Sequence, residues 1–365
     1  MKKIVRTLLV GATALLAVSC CSNEPEVKNI IFLIGDGMGL AQVSGVSLIN
    51  NWEPLAMERA EYIGLQKSYS ANNRVTDSAA SGTALATGHK TYNSAIGVDV
   101  DRNPVPSTRE LAQAAGYATG VVATYSVTNA TPASFVAHEA TRYAEENIAL
   151  DYLEADIDLF IGGGTQFFMN RRDGRNLADD LKAEGYIVAT DMAELEGITE
   201  GKVAALLAPN SMLTIGQGRS KDYLPGATAK ALEILSNNSD KGFFVMIEGS
   251  MIDGGGHDNN MVKIYEELVD FDNAVKVAFD FADTHPGTLV VVTADHETGG
   301  LSLVSGKTDF TLPEQGVRYE FGTTGHSATW LPIYAYGEGA EEFSGVMENT
   351  DIAKKMQKLL GLVEE

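Results

Sequence analysis

Acidic and histidine side chains follow several apolar runs of this sequence, in positions that suit metal binding. The candidates are Asp36 in GDGMG, Glu248, Asp253 and His257 in EGSMIDGGGH, Asp295 and His296 in ADHETGG, and His326 in TTGHSA. Carboxylates and imidazoles without cysteine are the ligands of catalytic zinc, and oxygen ligands alone suit magnesium. The set is large enough for two zinc ions, and Glu248 with a hydroxyl group would suit a magnesium ion.

Each of these segments also has a purely structural interpretation. GDGMG could be a turn or an incomplete dinucleotide fingerprint, but Leu40 replaces its third glycine and Asp36 would repel a pyrophosphate. EGSMIDGGGH could be a flexible loop, although Asp253 and His257 could fold back onto one ion, and ADHE could hold a buried pair. Three histidines are predicted not to bind metal: His89, His138 and His285. His138 is nevertheless predicted to support the site from a helix.

The segment VTDSAASGTALATG places Ser78 directly after Asp77 in a run of small residues. The structural interpretation is a helix N-terminus, capped by Asp77 or Thr76, that packs closely against a sheet. A serine at such a position could also be a nucleophile. This segment alone favours the structural interpretation.

The formal net charge of -22 limits the partners of the chain. Such an acidic protein is not expected to bind nucleic acid specifically, and it would repel anionic substrates. Metal ions at the acidic segments would reverse that repulsion locally. The composition therefore allows an anionic small-molecule substrate only at a site that recruits cations.

The N-terminus is predicted to be an export signal. Residues 1–6 are basic and residues 7–19 are apolar but too short to span a bilayer, so residues 1–20 read as a signal peptide. AVSCC resembles a bacterial lipobox, which predicts lipidation at Cys20 or Cys21; ordinary cleavage to a free periplasmic product is the alternative. Residues 21–27 would form a tether. The chain has no other cysteine, so disulfides are excluded.

Apolar runs and amphipathic stretches alternate along the rest of the chain. The predicted strands are Asn29–Ile34, Ala118–Ala123, Leu159–Ile161, Phe243–Ile247, Thr288–Thr293 and Leu331–Tyr336, and the predicted helices include Thr228–Leu235, Met261–Ala282 and Asp351–Leu360. Continuous apolar runs indicate strands buried on both faces, as in a parallel sheet. We therefore predict an α/β fold in one domain, residues 28–365, with ligands at the carboxyl ends of the strands.

Taken in order, six motifs resemble those of the alkaline phosphatases. They are GDGMG, VTDSAASGTA, NATPASFVAHEATR, EGSMID with its following His, TADHE and TGHSA, and they cover essentially the whole chain after the tether. The resemblance implies a three-layer α/β/α sandwich with a large, mostly parallel central sheet. It also implies hydrolysis of phosphate monoesters through a phosphoserine, and a homodimer. The export signal and lipobox, rather than the resemblance, predict a location in the periplasm or on the outer membrane.

The resemblance also implies roles for individual residues. Ser78 would be the nucleophile, Arg142 would bind the phosphoryl oxygens, and two zinc ions and one magnesium ion would be held. The implied ligands are Asp253, His257 and His326 for one zinc, Asp36, Asp295, His296 and Ser78 for the other, and Asp36, Thr131 and Glu248 for magnesium. With the other motifs present, Ser78 is expected at the start of a helix. The backbone N–H groups and the dipole of that helix would favour the Ser78 alkoxide and the incoming phosphate.

Two positions depart from common forms of the family. Asn129 stands where Asp or His is frequent, and Gly254 stands where Lys, His or Trp is frequent, so magnesium affinity and phosphate release are expected to differ. Broad substrate selectivity is expected, because no aromatic-rich insert is evident. A phosphodiesterase, a sulfatase and a lipoprotein that only binds phosphate or metal are the alternatives.

Overall fold

The computed structural model describes residues 27–306 and 316–363. Its strands are β1 (Asn29–Gly35), β2 (Tyr62–Lys67), β3 (Ala118–Ser126), β4 (Leu159–Gly163), β5 (Ile187–Ala189), β6 (Val203–Leu206), β7 (Phe243–Gly249), β8 (Thr288–Thr293), β9 (Glu297–Thr298), β10 (Leu301–Ser305), β11 (Val317–Phe321), β12 (His326–Ser327), β13 (Leu331–Gly337) and β14 (Gly345–Glu348). Its α-helices are α1 (Leu40–Ile49), α2 (Ser78–Thr87), α3 (Thr108–Ala114), α4 (Ala130–Ala133), α5 (Glu145–Glu154), α6 (Thr165–Phe168), α7 (Leu177–Ala183), α8 (Met192–Glu196), α9 (Tyr223–Asn238), α10 (Met251–His257), α11 (Met261–Thr284) and α12 (Asn349–Leu359). Short 3-10 helices occupy Ala56–Arg59, Ile215–Gln217 and Ala340–Phe343.

Ten of the strands form one sheet, in the order β14-β2-β13-β8-β1-β7-β3-β4-β6-β5. All neighbours in this sheet are parallel except β13, which runs antiparallel to both β8 and β2. Two small ribbons, β10 with β11 and β12 with β9, lie outside it. The carboxyl ends of most strands therefore share one edge, where ligands of such sheets bind.

The two faces of the sheet pack against two separate hydrophobic cores. Along β1, Ile30 and Phe32 point into one core, while Ile31 and Leu33 point into the other. The first core contains residues of α2, α3, α5, α7 and α12, and the second contains residues of α1, α8, α9, α10 and α11. Helices thus cover both faces, which confirms the predicted three-layer α/β/α sandwich.

The structure confirms all six predicted strands and the three predicted helices, with shifts of a few residues at their ends. EGSMIDGGGH, for which a flexible loop was one interpretation, instead contains α10. The predicted signal peptide and residues 21–26 of the tether lie outside the described residues. The single-domain assignment of residues 28–365 stays a prediction. Within the described ranges, we find no helix with the length and hydropathy needed to cross a bilayer.

Candidate active site

Three of the predicted carboxylates lie at the carboxyl ends of neighbouring strands. β1 lies between β7 and β8, with Asp36 directly after β1, Glu248 near the end of β7 and Asp295 just beyond β8. The Asp36 N–H donates to the Gly249 carbonyl at 3.2 Å, which joins the ends of β1 and β7. The parallel arrangement therefore brings the three carboxylates to one place, as the sequence predicted.

Asp253 and His257 lie one turn apart on α10. His257 Nε2 is 3.2 Å from Asp253 Oδ2, and its Nδ1 is 2.6 Å from the Thr324 carbonyl. The glycines between them allow the helix to pack closely, because a Cβ at Gly256 would lie 2.6 Å from the Thr298 carbonyl of β9. The two side chains meet through helical spacing rather than through a folded-back loop.

The ribbon of β12 and β9 brings His326 to the same place. His326 pairs with Thr298 in the register of this ribbon, and its ring stacks on that of His296 with centroids 3.5 Å apart. His326 Nδ1 is 2.9 Å from the Thr76 carbonyl, two residues before Ser78. A pairing between distant segments thus adds the last predicted histidine.

These side chains form two groups of possible metal ligands. The groups are Asp36, Asp295 and His296, and Asp253, His296 and His326. Within each group, the ligand atoms lie within 4.8 Å of one another. The first group agrees with one predicted zinc set. The second group contains His296 where the predicted zinc set had His257. His257 lies next to this group, because it contacts Asp253.

Several oxygens at this site are buried without a hydrogen-bond partner, which is the pattern expected of ligands for cations. They are Asp36 Oδ1, Asp295 Oδ2, Glu248 Oε1 and Thr131 Oγ1. Buried oxygens without a hydrogen bond are costly, and Asp36 Oδ1 and Asp295 Oδ2 both lie near His296 Nε2, at 3.5 and 3.2 Å. Burial has the largest effect on Glu248 and raises its pKa, whereas the nearby Thr131 hydroxyl lowers it. That hydroxyl has no hydrogen-bond partner of normal geometry among the described residues. The residues present therefore fit metal ions, including an all-oxygen site at Thr131 and Glu248.

Burial and mutual repulsion change the protonation of this cluster. Burial raises the pKa of Glu248 to about 7, and burial together with the Asp253 charge raises that of Asp295 to about 6. The pKa of Asp36 is also raised, by burial and by Asp295. Burial opposes ionisation of Asp253 as well, but the hydrogen bond from His257 and the nearby histidine charges lower its pKa overall. The carboxylates crowd one another unless cations separate them.

Ser78 begins α2, as the sequence predicted. The Asp77 side chain caps the helix by accepting from the Ala80 N–H at 3.0 Å. Ser78 Oγ lies 3.1 Å from His296 Nε2, so the hydroxyl contacts the metal-ligand cluster directly. All ten residues of α2 are buried. The small residues of the motif allow both close packing and access to the cluster.

Arg142 lies in the loop before α5, and its guanidinium is held only weakly. Its Nη1 is 3.5 Å from Asp77 Oδ2, and its Nη2 is 3.5 Å from Asn129 Oδ1. Its backbone N–H donates to the Ser94 carbonyl at 2.7 Å, which fixes the loop. The guanidinium thus lies beside the residue that precedes Ser78, with geometry loose enough to reorient toward a ligand.

The remaining residues predicted to support the site are Asn129, Gly254 and His138. Asn129 faces the site through Arg142, and a Cβ at Gly254 would meet Lys263 Nζ at 2.8 Å. His138 was predicted to support the site from a helix, and its placement on a helix is wrong. It lies in the extended segment after α4, where its Nε2 is 2.9 Å from Glu110 Oε1 and its Nδ1 contacts the Gly97 carbonyl.

Sequence reasoning missed Thr298. Its Oγ1 donates to Asp253 Oδ1 at 2.6 Å and lies 3.1 Å from His296 Nδ1, so it connects the two ligand groups. The signal was its closeness in sequence, because Thr298 follows His296 by two residues and the two-residue strand β9 begins directly after that histidine.

The chain matches known proteins over most of its length. A family model described as alkaline phosphatase matches residues 27–317. Alkaline phosphatase 3 of Bacillus subtilis is 34% identical over 93% of this chain and 90% of its own, and the Escherichia coli K12 alkaline phosphatase is 32% identical over 93% and 87%.

Solved structures agree with these matches. The alkaline phosphatase of the Antarctic bacterium TAB5 has a TM-score of 0.87 and is 41% identical, covering 93% of this chain and 99% of that one. A variant of the TAB5 enzyme, with a histidine replaced by aspartate, has magnesium bound in its M3 site. The phosphodiesterase, sulfatase and non-catalytic interpretations are set aside: the chain belongs to the alkaline phosphatase family and is a metal-binding hydrolase of phosphate monoesters.

Proposed function

We propose that hydrolysis runs through a covalent phosphoserine on Ser78. The observation that carries this proposal is the 3.1 Å distance between Ser78 Oγ and His296 Nε2, inside a cluster of buried carboxylates. Ser78 also begins a ten-residue helix, whose free N–H groups and dipole favour an alkoxide and a bound phosphate. The same hydroxyl can therefore attack phosphorus and hold the phosphoryl group.

We assign two zinc ions and one magnesium ion to the cluster. The proposed ligands are Asp253, His257 and His326 for one zinc, Asp36, Asp295, His296 and Ser78 for the other, and Asp36, Thr131 and Glu248 for magnesium. Nitrogen and carboxylate ligands support zinc, and the unpartnered oxygens of Thr131 and Glu248 support a harder cation. When bound, such ions lower the pKa of coordinated hydroxyl groups and neutralise charge on the phosphoryl group.

Two displacements at phosphorus complete the reaction. Ser78 Oγ loses its proton and attacks phosphorus, the bond to the leaving oxygen breaks, and the leaving alkoxide takes a proton and departs as an alcohol. Water then attacks the phosphoserine from the vacated side and gives up a proton. The Oγ–P bond breaks, which restores the Ser78 hydroxyl and releases inorganic phosphate.

Arg142 is proposed to bind two non-bridging oxygens of the phosphoryl group. A planar guanidinium suits such bidentate contacts, and both present contacts of this side chain are at the 3.5 Å limit. A phosphate at Ser78 would offer shorter and stronger ones. Asn129 accepts from the same guanidinium, so we propose that it tunes both Arg142 and the magnesium site, and that magnesium binds less tightly here than beside an aspartate.

We also propose that the chain is exported, anchored by lipid at Cys20 or Cys21, and dimeric. Its catalytic part would be one domain that follows the tether. β1 begins at Asn29, at the edge of the sheet opposite Asp36, and seven residues of strand span about 20 Å. A lipid anchor before Val27 would therefore direct the active site away from the membrane, toward soluble phosphate monoesters.

The decisive experiment combines metal analysis with phosphate trapping. Purified protein should contain zinc, hydrolyse p-nitrophenyl phosphate, and retain labelled phosphate on Ser78 after acid quenching. Ser78→Ala should keep its metals and lose the label, whereas Ser44→Ala, which removes an α1 hydroxyl that donates to the Leu40 carbonyl, should behave as wild type. Label on another residue, or full activity without metal, would overturn the proposal.

The role of Arg142 has its own test. Arg142→Ala should weaken inhibition by inorganic phosphate and slow turnover, since one such charged contact contributes about 2–4 kcal/mol in comparable sites. Unchanged phosphate inhibition would contradict the assignment.

A further inference from the structure

We infer that a cavity beside the active site binds the leaving group and favours phosphate esters of aromatic compounds, with nucleoside monophosphates as the substrate class. The cavity has a volume of about 480 Å³ and is lined by residues 67–74 together with Ala328 and Trp330. The inference rests on the proposed function, because the cavity would bind the leaving group of a substrate whose phosphoryl group lies at Ser78.

The register of the sheet places this cavity at the active-site edge. β13 lies between β8 and β2, and Leu331 at its start pairs with Gln66 near the end of β2. Trp330 therefore lies opposite Lys67, just beyond the edge that carries Asp295. Neighbouring strands are about 4.8 Å apart, so the start of β13 and the end of β2 lie about 5 and 10 Å from β8.

The chain itself connects the cavity to the catalytic residues. Arg74 precedes Ser78 by four residues, and Ala328 follows His326 by two. The two segments are joined where His326 Nδ1 meets the Thr76 carbonyl at 2.9 Å. A leaving group that extends from a phosphate at Ser78 on this side thus enters the cavity.

Two aromatic side chains at the cavity are exposed. Tyr69 is 44% exposed and Trp330 is 48% exposed. Lys90 Nζ lies 3.8 Å from the centre of the Tyr69 ring and donates to the Tyr69 carbonyl at 2.6 Å, while β13 begins directly after Trp330. Exposed aromatic rings offer stacking surfaces to a planar base.

Arg74 supplies a free positive charge at the same cavity. The structure gives it no ion pair or side-chain hydrogen bond within the described residues, and it follows a turn closed by the Ser70 N–H, which donates to the Asn73 carbonyl at 3.0 Å. A guanidinium can stack on a base or donate to its acceptor atoms. Aromatic and cationic groups together suit a nucleotide better than an aliphatic ester.

This inference revises the expectation of broad selectivity. The sequence shows no aromatic-rich insert because Tyr69 and Trp330 come from segments that are far apart along the chain. Only the pairing of β2 with β13 brings them to one cavity.

A kinetic comparison tests the cavity with two substrates that differ only in the base, AMP and ribose 5-phosphate. Wild-type protein should favour AMP in kcat/KM, chiefly through KM. Trp330→Ala should reduce the AMP to ribose 5-phosphate ratio about 10-fold, Trp330→Phe should restore most of it, and Trp52→Phe should leave it unchanged. A wild-type ratio near one would overturn the inference but not the proposed phosphoserine route, which the trapping of labelled phosphate on Ser78 tests separately.

Binding without catalysis gives an independent readout. The chain has two tryptophans, so Trp330 is the single tryptophan reporter in Trp52→Phe protein. Adenosine should quench its fluorescence and ribose should not. No response to adenosine would overturn the inference. A Trp330→Ala protein that changes its oligomeric state while the substrate ratio stays the same would also overturn it, and would indicate that another copy of the chain, rather than a leaving group, contacts this surface.

Discussion

The Thr298 hydroxyl connects two ligand groups that the sequence treats as separate. It donates to Asp253 and contacts His296, so it orients one carboxylate and one imidazole. Removing such a supporting hydrogen bond typically costs about 10–100-fold in metal affinity. Thr298→Val should therefore weaken zinc binding by that amount in chelator competition, and Thr298→Ser should bind nearly as wild type. Equal affinity of all three proteins would show that the hydroxyl does not position the ligands.

Asn129 has a neutral amide side chain. A negative charge at this position would act on both the proposed magnesium site and Arg142. Asn129→Asp should increase magnesium affinity about 10-fold or more, because a carboxylate attracts the cation or its bound waters. It should also strengthen the contact with Arg142, now 3.5 Å long, and so weaken phosphate inhibition. The magnesium dependence of activity measures the first effect. Asn51→Asp, the same change at an exposed position after α1, should alter neither.

Gly254 leaves space that a neighbouring lysine partly occupies. A Cβ at this position would lie 2.8 Å from Lys263 Nζ, the flexible end of a side chain paired with Asp258. Gly254→Lys should bring a second cation beside Asp253 and lower the phosphate inhibition constant about 10-fold. Because two ammonium groups repel, adding Lys263→Met should preserve or enlarge the effect. An unchanged inhibition constant in both proteins would mean that position 254 does not face the phosphate.

The residue types at the site were predictable, and their grouping was not. Polar residues after apolar strands indicated the carboxylates correctly, because the edge of a parallel sheet collects them. The pairing of His296 with Asp253 and His326 depends on a ring stacking between two segments, which no local pattern encodes. The misplaced His138 has the same cause, since its partner Glu110 belongs to another element.

At the scale of elements, the long strands were predictable and the small ones were not. β1, β7 and β8 are continuous apolar runs with every residue of β7 and β8 buried. β9 and β12 have two residues each, too few to show a period, and they exist because they pair with each other. In α10, three consecutive glycines disfavour a helix by propensity, but close packing against β9 and α11 outweighs that cost.

That packing predicts opposite results for two glycine substitutions in helices. A Cβ at Gly256 would lie 2.6 Å from a backbone carbonyl of β9, whereas a Cβ at Gly226 in α9 would meet nothing within 4 Å. Gly256→Ala should therefore destabilise the protein by about 1–3 kcal/mol and weaken zinc binding, because α10 must shift. Gly226→Ala should stabilise it by about 0.4–1 kcal/mol. Denaturant unfolding measures both, and a neutral Gly256→Ala would contradict the close contact of α10 with β9.

Across the whole molecule, two layers of helix enclose a sheet that carries its acidic groups at one edge. The alternating apolar and helical segments predicted these layers, but the strand order depends on pairings between segments such as β1 with β7, more than 200 residues apart. This order brings buried carboxylates together at the cost of repulsion. Metal ions offset that repulsion, so the fold and its cofactors should be linked thermodynamically.

Because of this linkage, the effect of pH on the stability of the fold depends on whether metal ions are bound. In metal-free protein the pKa of Glu248 is raised to about 7 and that of Asp295 to about 6, above their ordinary values of 4.5 and 3.8, so both groups bind protons more tightly in the folded chain. The stability that they contribute in mild acid is lost as pH rises through these folded values, so the Tm of EDTA-treated protein should fall between about pH 4 and 7.

Zinc and magnesium bind the deprotonated carboxylates, and their affinity therefore increases as pH rises through the same range. At pH 8, saturating metal should raise Tm by roughly 10 °C over the EDTA-treated protein, and the difference should shrink toward pH 5. Thermal unfolding with and without EDTA across this range measures both trends. A metal effect of the same size at pH 5 and pH 8 would mean that the buried carboxylates are not the groups that link metal binding to folding.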